Sequence, residues 1–205
     1  MQKRIYKAVK EGRLRTAKKL AKLLNRSHSA IVLGVRKVTT DNKGRKTAGV
    51  DLKTALTKPA KVKLVKEILD KVHKGWHKYK AKPAKRVMIP KSNGKRRPLG
   101  IPTISDRAMQ MVTKMALEPY YEARFESCSY GFRPAMSIHD AIDDIFKCLS
   151  LQSKWIRDAD IKGCFDNLDH KFLLKQIDTH WVPIVKQWLK AGLITVLINL
   201  LLEPV

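Results

Sequence analysis

Between residues 3 and 24, apolar Ile5, Val9, Leu20 and Leu24 and the small Ala8, Ala17 and Ala21 recur on one helical face, and Lys and Arg cover the other. The spacing predicts a single amphipathic helix over 3–24. Residues 25–38, "NRSHSAIVLGVRKV", predict a second helix capped by Ser27 or Ser29. "TTDNKGRKTAGVD" (39–51) is rich in Gly, Asn and Thr and reads as a loop. Pro59 suits the first turn of a third helix, with Val62, Val65, Ile68, Leu69 and Val72 as its apolar stripe. Together these elements predict a basic helical module ending near residues 76–82.

The pattern then shortens. Val87–Ile89 and Leu99–Ile101 flank Ser92-Asn93-Gly94, which signals a β-hairpin. Pro90, Pro98 and Pro102 push its strands towards a sheet edge, because proline cannot donate to a ladder. A helix follows over "SDRAMQMVTKMALEPYYEARF", capped by Ser105 and interrupted at Pro119. "SIHDAIDDIFKCL" opens on a capping box of Ser137 and Asp140, and its Ile138, Ala141, Ile142, Ile145 and Leu149 are expected to face inward. "KWIRDADI" (154–161) reads as a short strand, and "LDHKFLLKQI" as another helix.

Charge changes this picture of an ordinary small α+β chain. The 205 residues carry a net charge of +25, unevenly: residues 1–100 hold 31 Lys and Arg against 5 Asp and Glu, whereas residues 101–205 hold 12 against 13. A polyanion, above all nucleic acid, is the natural counterpart of the first half; a solvated Lys-rich face is the plainer reading. At 44% hydrophobic residues the chain can build a core as one large or two small domains. Cys128, Cys148 and Cys164 form no Cys-x-x-Cys pair, which points to free thiols and away from structural zinc. The first twenty residues lack the apolar run of a secretory signal, and "GLITVLINLLLEPV" is too short to span a bilayer.

Against this background "DADIKGCFDNLDH" (158–170) concentrates four aspartates. A strand running into Asp160 and turning at Gly163 puts a carboxylate at an element end, where Mg²⁺ could be held by one or two aspartates and a substrate phosphate. Asp158 and Asp160 would share a strand face; for Asp166 and Asp169, helix capping is the simpler role. A solvated acidic loop is the alternative.

The stretch is very similar to polymerase motif A of the group II intron reverse transcriptases, or maturases. Other blocks of that family follow in the same order. "IPKSNGKRRPLGIPTISDRAMQ" resembles the first fingers block and "SYGFRPAMSIHDAI" the second, while "QKRIYKAV" and "KTAGVD" resemble the N-terminal region. The resemblance implies an α+β fold, in which basic N-terminal helices precede the fingers and incomplete palm of a right-hand polymerase. It implies a basic RNA-binding extension over 1–82, fingers and partial palm over 83–192, and an atypical apolar tail over 193–205. Asp160 would be the first catalytic metal ligand for Mg²⁺, completed by the Ile161 carbonyl. Phe165 would gate against a 2′-hydroxyl, and Lys91 and Arg97 would reach the incoming triphosphate. Lys95, Arg96 and Arg133 would contact template, and Lys3, Arg4, Arg13, Lys18 and Lys19 would grip structured intron RNA through its phosphates. The setting would be a bacterial cytoplasm or an organelle.

The chain also departs from the family pattern. No Tyr-x-Asp-Asp occurs in its 205 residues, so the aspartate pair that completes the family's metal site is missing from this sequence. The expectation is a truncated, degenerate reading frame, with an out-of-frame or unrelated tail after about Gly192, that lacks polymerase activity by itself. A non-catalytic RNA-binding protein and a relic without a role are the rival readings.

Overall fold

The computed structural model describes residues 1–75, 78–90, 92, 94–150, 152–161, 163–164 and 167–195. The first amphipathic run is two helices, α1 (Gln2–Lys10) and α2 (Leu14–Arg26), not one. Gly12 sits between them at φ +72°, a left-handed conformation that ends a helix, and lets both apolar faces turn onto the same neighbour. Ser27 is the N-cap residue of α3 (His28–Arg36), which runs into a π-helical turn at Lys37–Asp41 and a 3₁₀ turn at Lys43–Lys46. The expected loop is thus largely coiled. In α4 (Lys58–Lys74), capped by Thr57, the buried row is Leu64, Ile68 and Val72, spaced by four. Val62 instead points to solvent, and Val65 and Leu69 are half-buried at the edge of the row.

Helix α5 (Ile104–Glu122) is the spine on which these helices pack, for α1, α2, α3 and α4 all contact it. Ile5, Ile31, Val35, Ile68, Met109 and Val112 are buried in one cluster that also takes in Ile184 far along the chain. Each such side chain contributes about 1.5–3 kcal/mol relative to exposure. The α3–α5 crossing is close because Gly34 has no side chain: a Cβ there would lie 2.7 Å from Val112 Cγ2. Two expectations for α5 need correction. Its cap is Thr103, extended at φ −60°, ψ 158°, whose Oγ1 accepts the Asp106 N–H at 3.2 Å. Ser105 lies inside the first turn and donates to Glu67 Oε1 at 2.9 Å. The helix also continues through Pro119. A proline leaves the carbonyl four residues earlier without its helical donor, and here Gln2 Nε2 donates to that Met115 oxygen at 3.0 Å.

The hairpin forms as expected, but only one of its two strands lies at the sheet edge. Strands β1 (Ala84–Pro90) and β2 (Arg96–Ile101) pair antiparallel, with Val87 opposite Leu99 and Met88 opposite Pro98. Strand order is β2-β1-β3, so Pro98 lies on an edge strand, where a residue without an N–H is tolerated. Strand β3 (Leu193–Thr195) runs parallel to β1, with Ala84 opposite Leu193. Strand β1 is therefore central, with Pro90 at its end, beyond the Ala84–Arg86 stretch that pairs with β3. Just before β3 comes α8 (Val182–Lys190), with Pro183 in its first turn.

Helix α6 (Ile138–Leu149) carries the predicted capping box: Asp140 N–H donates to Ser137 Oγ at 3.3 Å and Ser137 N–H to Asp140 Oδ2 at 2.7 Å. Its apolar face does not turn inward. Ile138 is 76% exposed and Phe146 69%, and α6 contributes no buried residue. Residues 154–161 likewise do not form the expected strand, and Trp155 is fully exposed. A strand exists by virtue of its ladder, and among the described residues nothing pairs with this segment. Helix α7 (His170–Gln176) is capped by Asp169, whose Oδ1 accepts the Lys171 N–H at 2.8 Å.

Three partly buried groups carry a pH dependence. Burial would raise the Asp178 carboxyl, but Lys18, 2.8 Å away, and the His180 N–H outweigh it and hold it below its ordinary 3.8. At Glu67 burial is likewise outweighed by Lys71 and Ser105, which hold the group below 4.5. Burial, with Lys22 nearby, holds His180 below 6.5. In all three the folded state releases its proton more readily than the unfolded chain, so their contribution is complete at neutral pH and lost on acidification. Thermal unfolding should show Tm falling by several degrees as pH drops through 6.5 and then through the carboxylate range. A Tm that is flat or rises from pH 7 down to 3 contradicts this assignment.

Candidate nucleic-acid interface

Many cations of the first hundred residues are displayed on the outer faces of α1 to α4, whose inner faces build the core. Lys3 and Arg4 are exposed on α1, and Lys19 on α2. Lys3 also borders a cavity of about 480 Å³ between α1, the end of α5 and Pro134. Arg13 precedes α2 and hydrogen-bonds Glu11. Lys18 is spent differently: its ammonium pairs with Asp178 at 2.8 Å and ties α2 to the segment before α8. That contact also raises the Lys18 pKa.

On the hairpin, Arg97 stands opposite Ile89 and Arg96 opposite Pro90, and both side chains are exposed. Neighbours on a strand point to opposite faces, so the two guanidiniums address different sides of the hairpin. Lys95, also exposed, leads into β2. Lys91 and Phe165 lie outside the described residues, as does Asp166.

Arg133 is an internal staple. Its side chain is 8% exposed, with Nη2 2.6 Å and Nε 3.1 Å from Glu122 Oε1, and Nη1 donates to the carbonyls of Glu126 and Ser129 at 2.6 Å each. Five donors in a rigid fork suit this gathering role. The staple closes the loop after α5 and holds Phe132 outward at φ +60°, fully exposed. A guanidinium so engaged is not offered to a template in this conformation.

Asp160 and Ile161 are exposed, in a segment without regular structure. Among the described residues no three His, Cys, Asp or Glu come together as a metal site. One carboxylate and one carbonyl leave most of the coordination shell of a hard cation to water. The described residues therefore do not by themselves fit the metal centre that the resemblance implies. Gly163 does turn the chain, at φ +61°, and Asn167 Nδ2 secures the turn by donating to the Gly163 carbonyl at 3.0 Å.

Two residues outside the expected set organise the region. Asp106, 3% exposed, accepts hydrogen bonds from the Tyr79 hydroxyl, from Thr103 Oγ1 at 2.6 Å and from the Lys82 N–H at 3.4 Å. Burial and this carboxylate push the Tyr79 hydroxyl far above its ordinary pKa. Trp188 Nε1 donates to the same hydroxyl at 3.1 Å, so the hub joins α8, α5 and the segment entering β1. Arg107 reaches back from α5 to the 3₁₀ turn at Lys43–Lys46. Their sequence signal was the tripeptide Ser105-Asp106-Arg107 directly after the hairpin, where a capping role for Ser105 masked the other two.

Among the described residues no helix is long and apolar enough to cross a membrane. Comparison with known proteins gives two family matches. Residues 1–68 match the N-terminal domain of reverse transcriptase, and residues 89–201 match reverse transcriptase (RNA-dependent DNA polymerase). The second match continues past Gly192, which weighs against a tail foreign to the family beginning there. Protein YkfC of Escherichia coli is 37% identical over 169 residues, covering 78% of this chain and 44% of that protein. The group II intron-encoded protein LtrA of Lactococcus lactis is 38% identical over 157 residues, covering 74% of this chain and 25% of LtrA. Maturase-like protein 1 of Euglena gracilis is 29% identical over 181 residues, 86% of this chain and 39% of that protein. The chain thus spans between a quarter and under half of these relatives. Membership in a reverse transcriptase family brings nucleic-acid binding and divalent-metal chemistry as family properties. The chain belongs to the reverse transcriptases of the group II intron, or maturase, type, and comprises their N-terminal region and fingers with part of the polymerase domain.

Proposed function

We propose that this chain is the RNA-gripping portion of an intron-encoded RNA-directed DNA polymerase, which assists splicing by holding structured group II intron RNA. The observation that carries this reading is the excess of 31 basic over 5 acidic residues in the first hundred, exposed on helices whose other faces share the core of the fingers. Lys3, Arg4, Arg13 and Lys19 meet phosphates with little sequence readout, and Lys18 serves when its pair with Asp178 opens. Arg97 and Lys91 face the triphosphate, Lys95 and Arg96 the template, and Phe165 excludes the 2′-hydroxyl. Arg133 acts on template through the loop it shapes. Asp160 and the Ile161 carbonyl supply part of a Mg²⁺ shell. With one such carboxylate and no Tyr-x-Asp-Asp, the 205-residue chain does not polymerise alone. The setting is a bacterial cytoplasm or an organelle. That no three metal-ligating side chains come together among the described residues also favours a second reading, a purely non-catalytic intron RNA-binding protein.

Filter binding to a group II intron RNA against salt tests the first reading. Affinity should fall about a thousandfold between 50 and 200 mM salt, as expected for roughly six or more phosphate contacts. The intron RNA should also outcompete an unstructured RNA of equal length. Weak binding that is indifferent to the polyanion's identity overturns intron recognition. Robust cDNA synthesis by the purified chain in a primer-extension assay overturns the inactive-alone reading and, with it, the non-catalytic alternative.

A further inference from the structure

The 3₁₀ turn at Lys43–Lys46 concentrates Lys43, Arg45 and Lys46, all exposed, within four residues. Like charges this close repel, and among the described residues no ion pair within 4 Å joins any of the three to an acid: Asp41 lies 3.7 Å from Arg36, and Asp51, 3.8 Å from Lys82, acts on Arg107 beneath the turn. A further cation, Arg107, is brought beneath the turn. Its Nη1 donates to the Gly44 carbonyl at 3.0 Å and its Nη2 to the Thr47 carbonyl at 2.5 Å, while its buried Nε has no hydrogen-bond partner. Two carbonyls three residues apart are thus held by one planar fork, which a lysine cannot reproduce. Asn42 Oδ1 accepts the Gly44 N–H at 3.0 Å, and Arg45 Nη1 donates to the Thr40 carbonyl at 2.7 Å, so the turn is fastened from both sides. So much fixed positive charge, gathered at an electrostatic cost, is suited to meeting a polyanion without rearrangement.

We propose that Arg107 is a positioning residue, whose fork holds the 42–47 turn so that Lys43, Arg45 and Lys46 engage the phosphodiester backbone of RNA together. This rests on the RNA-gripping reading above. Arg107 does not itself touch the RNA; it sets the spacing of the three cations that do.

The test uses the full chain, the Arg107→Lys variant, a Lys43→Ala/Arg45→Ala/Lys46→Ala variant and their combination, each with the group II intron RNA. Arg107→Lys conserves net charge, so any fall in the salt dependence of binding reports displaced cations, not lost ones. The triple variant should lower the log–log salt slope by about 2. Arg107→Lys should lower it in the same direction and weaken binding at least threefold. In the triple background Arg107→Lys should add nothing. Without RNA, trypsin should cut Arg107→Lys within residues 43–46 several-fold faster than wild type, with cleavage in α4 unchanged. The proposal is overturned if Arg107→Lys leaves slope and cleavage as in wild type, or if it weakens binding equally in the triple background. Faster cleavage with an RNA affinity unmoved by the triple variant overturns the assignment of RNA to this turn, while the helices' own RNA binding stands or falls on the wild-type slope.

Discussion

Gly49→Ala should destabilise the protein by about 3 kcal/mol, measured as a shift in the urea unfolding midpoint. Gly49 is buried where "KTAGVD" crosses the start of α5, and a Cβ there would lie 2.7 Å from Thr103 Cα, 2.8 Å from Thr103 N and 3.0 Å from Pro102 C. All three are backbone atoms, so no rotamer change relieves the overlap and the crossing itself must open. The same crossing supports the turn that Arg107 fastens, so the variant should also lose RNA affinity. Gly131→Ala is the matched control, because nothing lies within 4 Å of its would-be Cβ. It should stay within about 0.5 kcal/mol of wild type, as surface substitutions usually do. Equal effects at the two glycines contradict the account of Gly49.

Replacing Asp106 by alanine should cost about 3 kcal/mol or more, again read from urea unfolding. The carboxylate is buried, and its removal leaves the Thr103 hydroxyl and the Lys82 N–H without their acceptor. Tyr79 loses its acceptor but still receives the Trp188 N–H at 3.1 Å. Hydrogen bonds to a charged group contribute about 1.5–3 kcal/mol each, and a buried group left unpaired adds its own desolvation cost. Tyr79→Phe, which removes one donor to Asp106 and the acceptor of the Trp188 N–H but leaves Thr103 and Lys82 on the carboxylate, should cost about 1–2 kcal/mol. In a double-mutant cycle the two changes should be strongly non-additive. An Asp106→Ala variant no less stable than Tyr79→Phe would show that the hub is not the junction it is taken to be.

Local signals were legible wherever the chain satisfies itself locally. The Ser92-Asn93-Gly94 signal located the hairpin, and Ser137 with Asp140 located the start of α6. Pro59 lies in the first turn of α4, and Asp169 caps α7. What failed depended on partners distant in sequence. A helix passes through Pro119 because Gln2, at the other end of the chain, supplies the missing donor. Periodicity revealed that one side of α6 is apolar, but an apolar side is buried only if something covers it, and nothing among the described residues does. The expected strand at 154–161 failed for the same reason. Helix α8 carries a weak local signal: Pro183, Ile184, Val185 and Trp188 mark it, but it is only nine residues long and has no side-chain cap. Of the candidate site, the exposed cations were legible as charge. The inward engagement of Arg133 and the holding role of Arg107 were not, since a guanidinium reads alike whether it faces water or gathers carbonyls.

Because α5, which falls within the second family match, packs against α1 to α4 of the first, the boundary between residues 68 and 89 is a seam in similarity and not in matter. A deletion or exchange of the leading segment would strip the cover from Ala108, Met109, Val112 and Ala116 together. A foreign leading segment would therefore have to bring helices that already fit that spine.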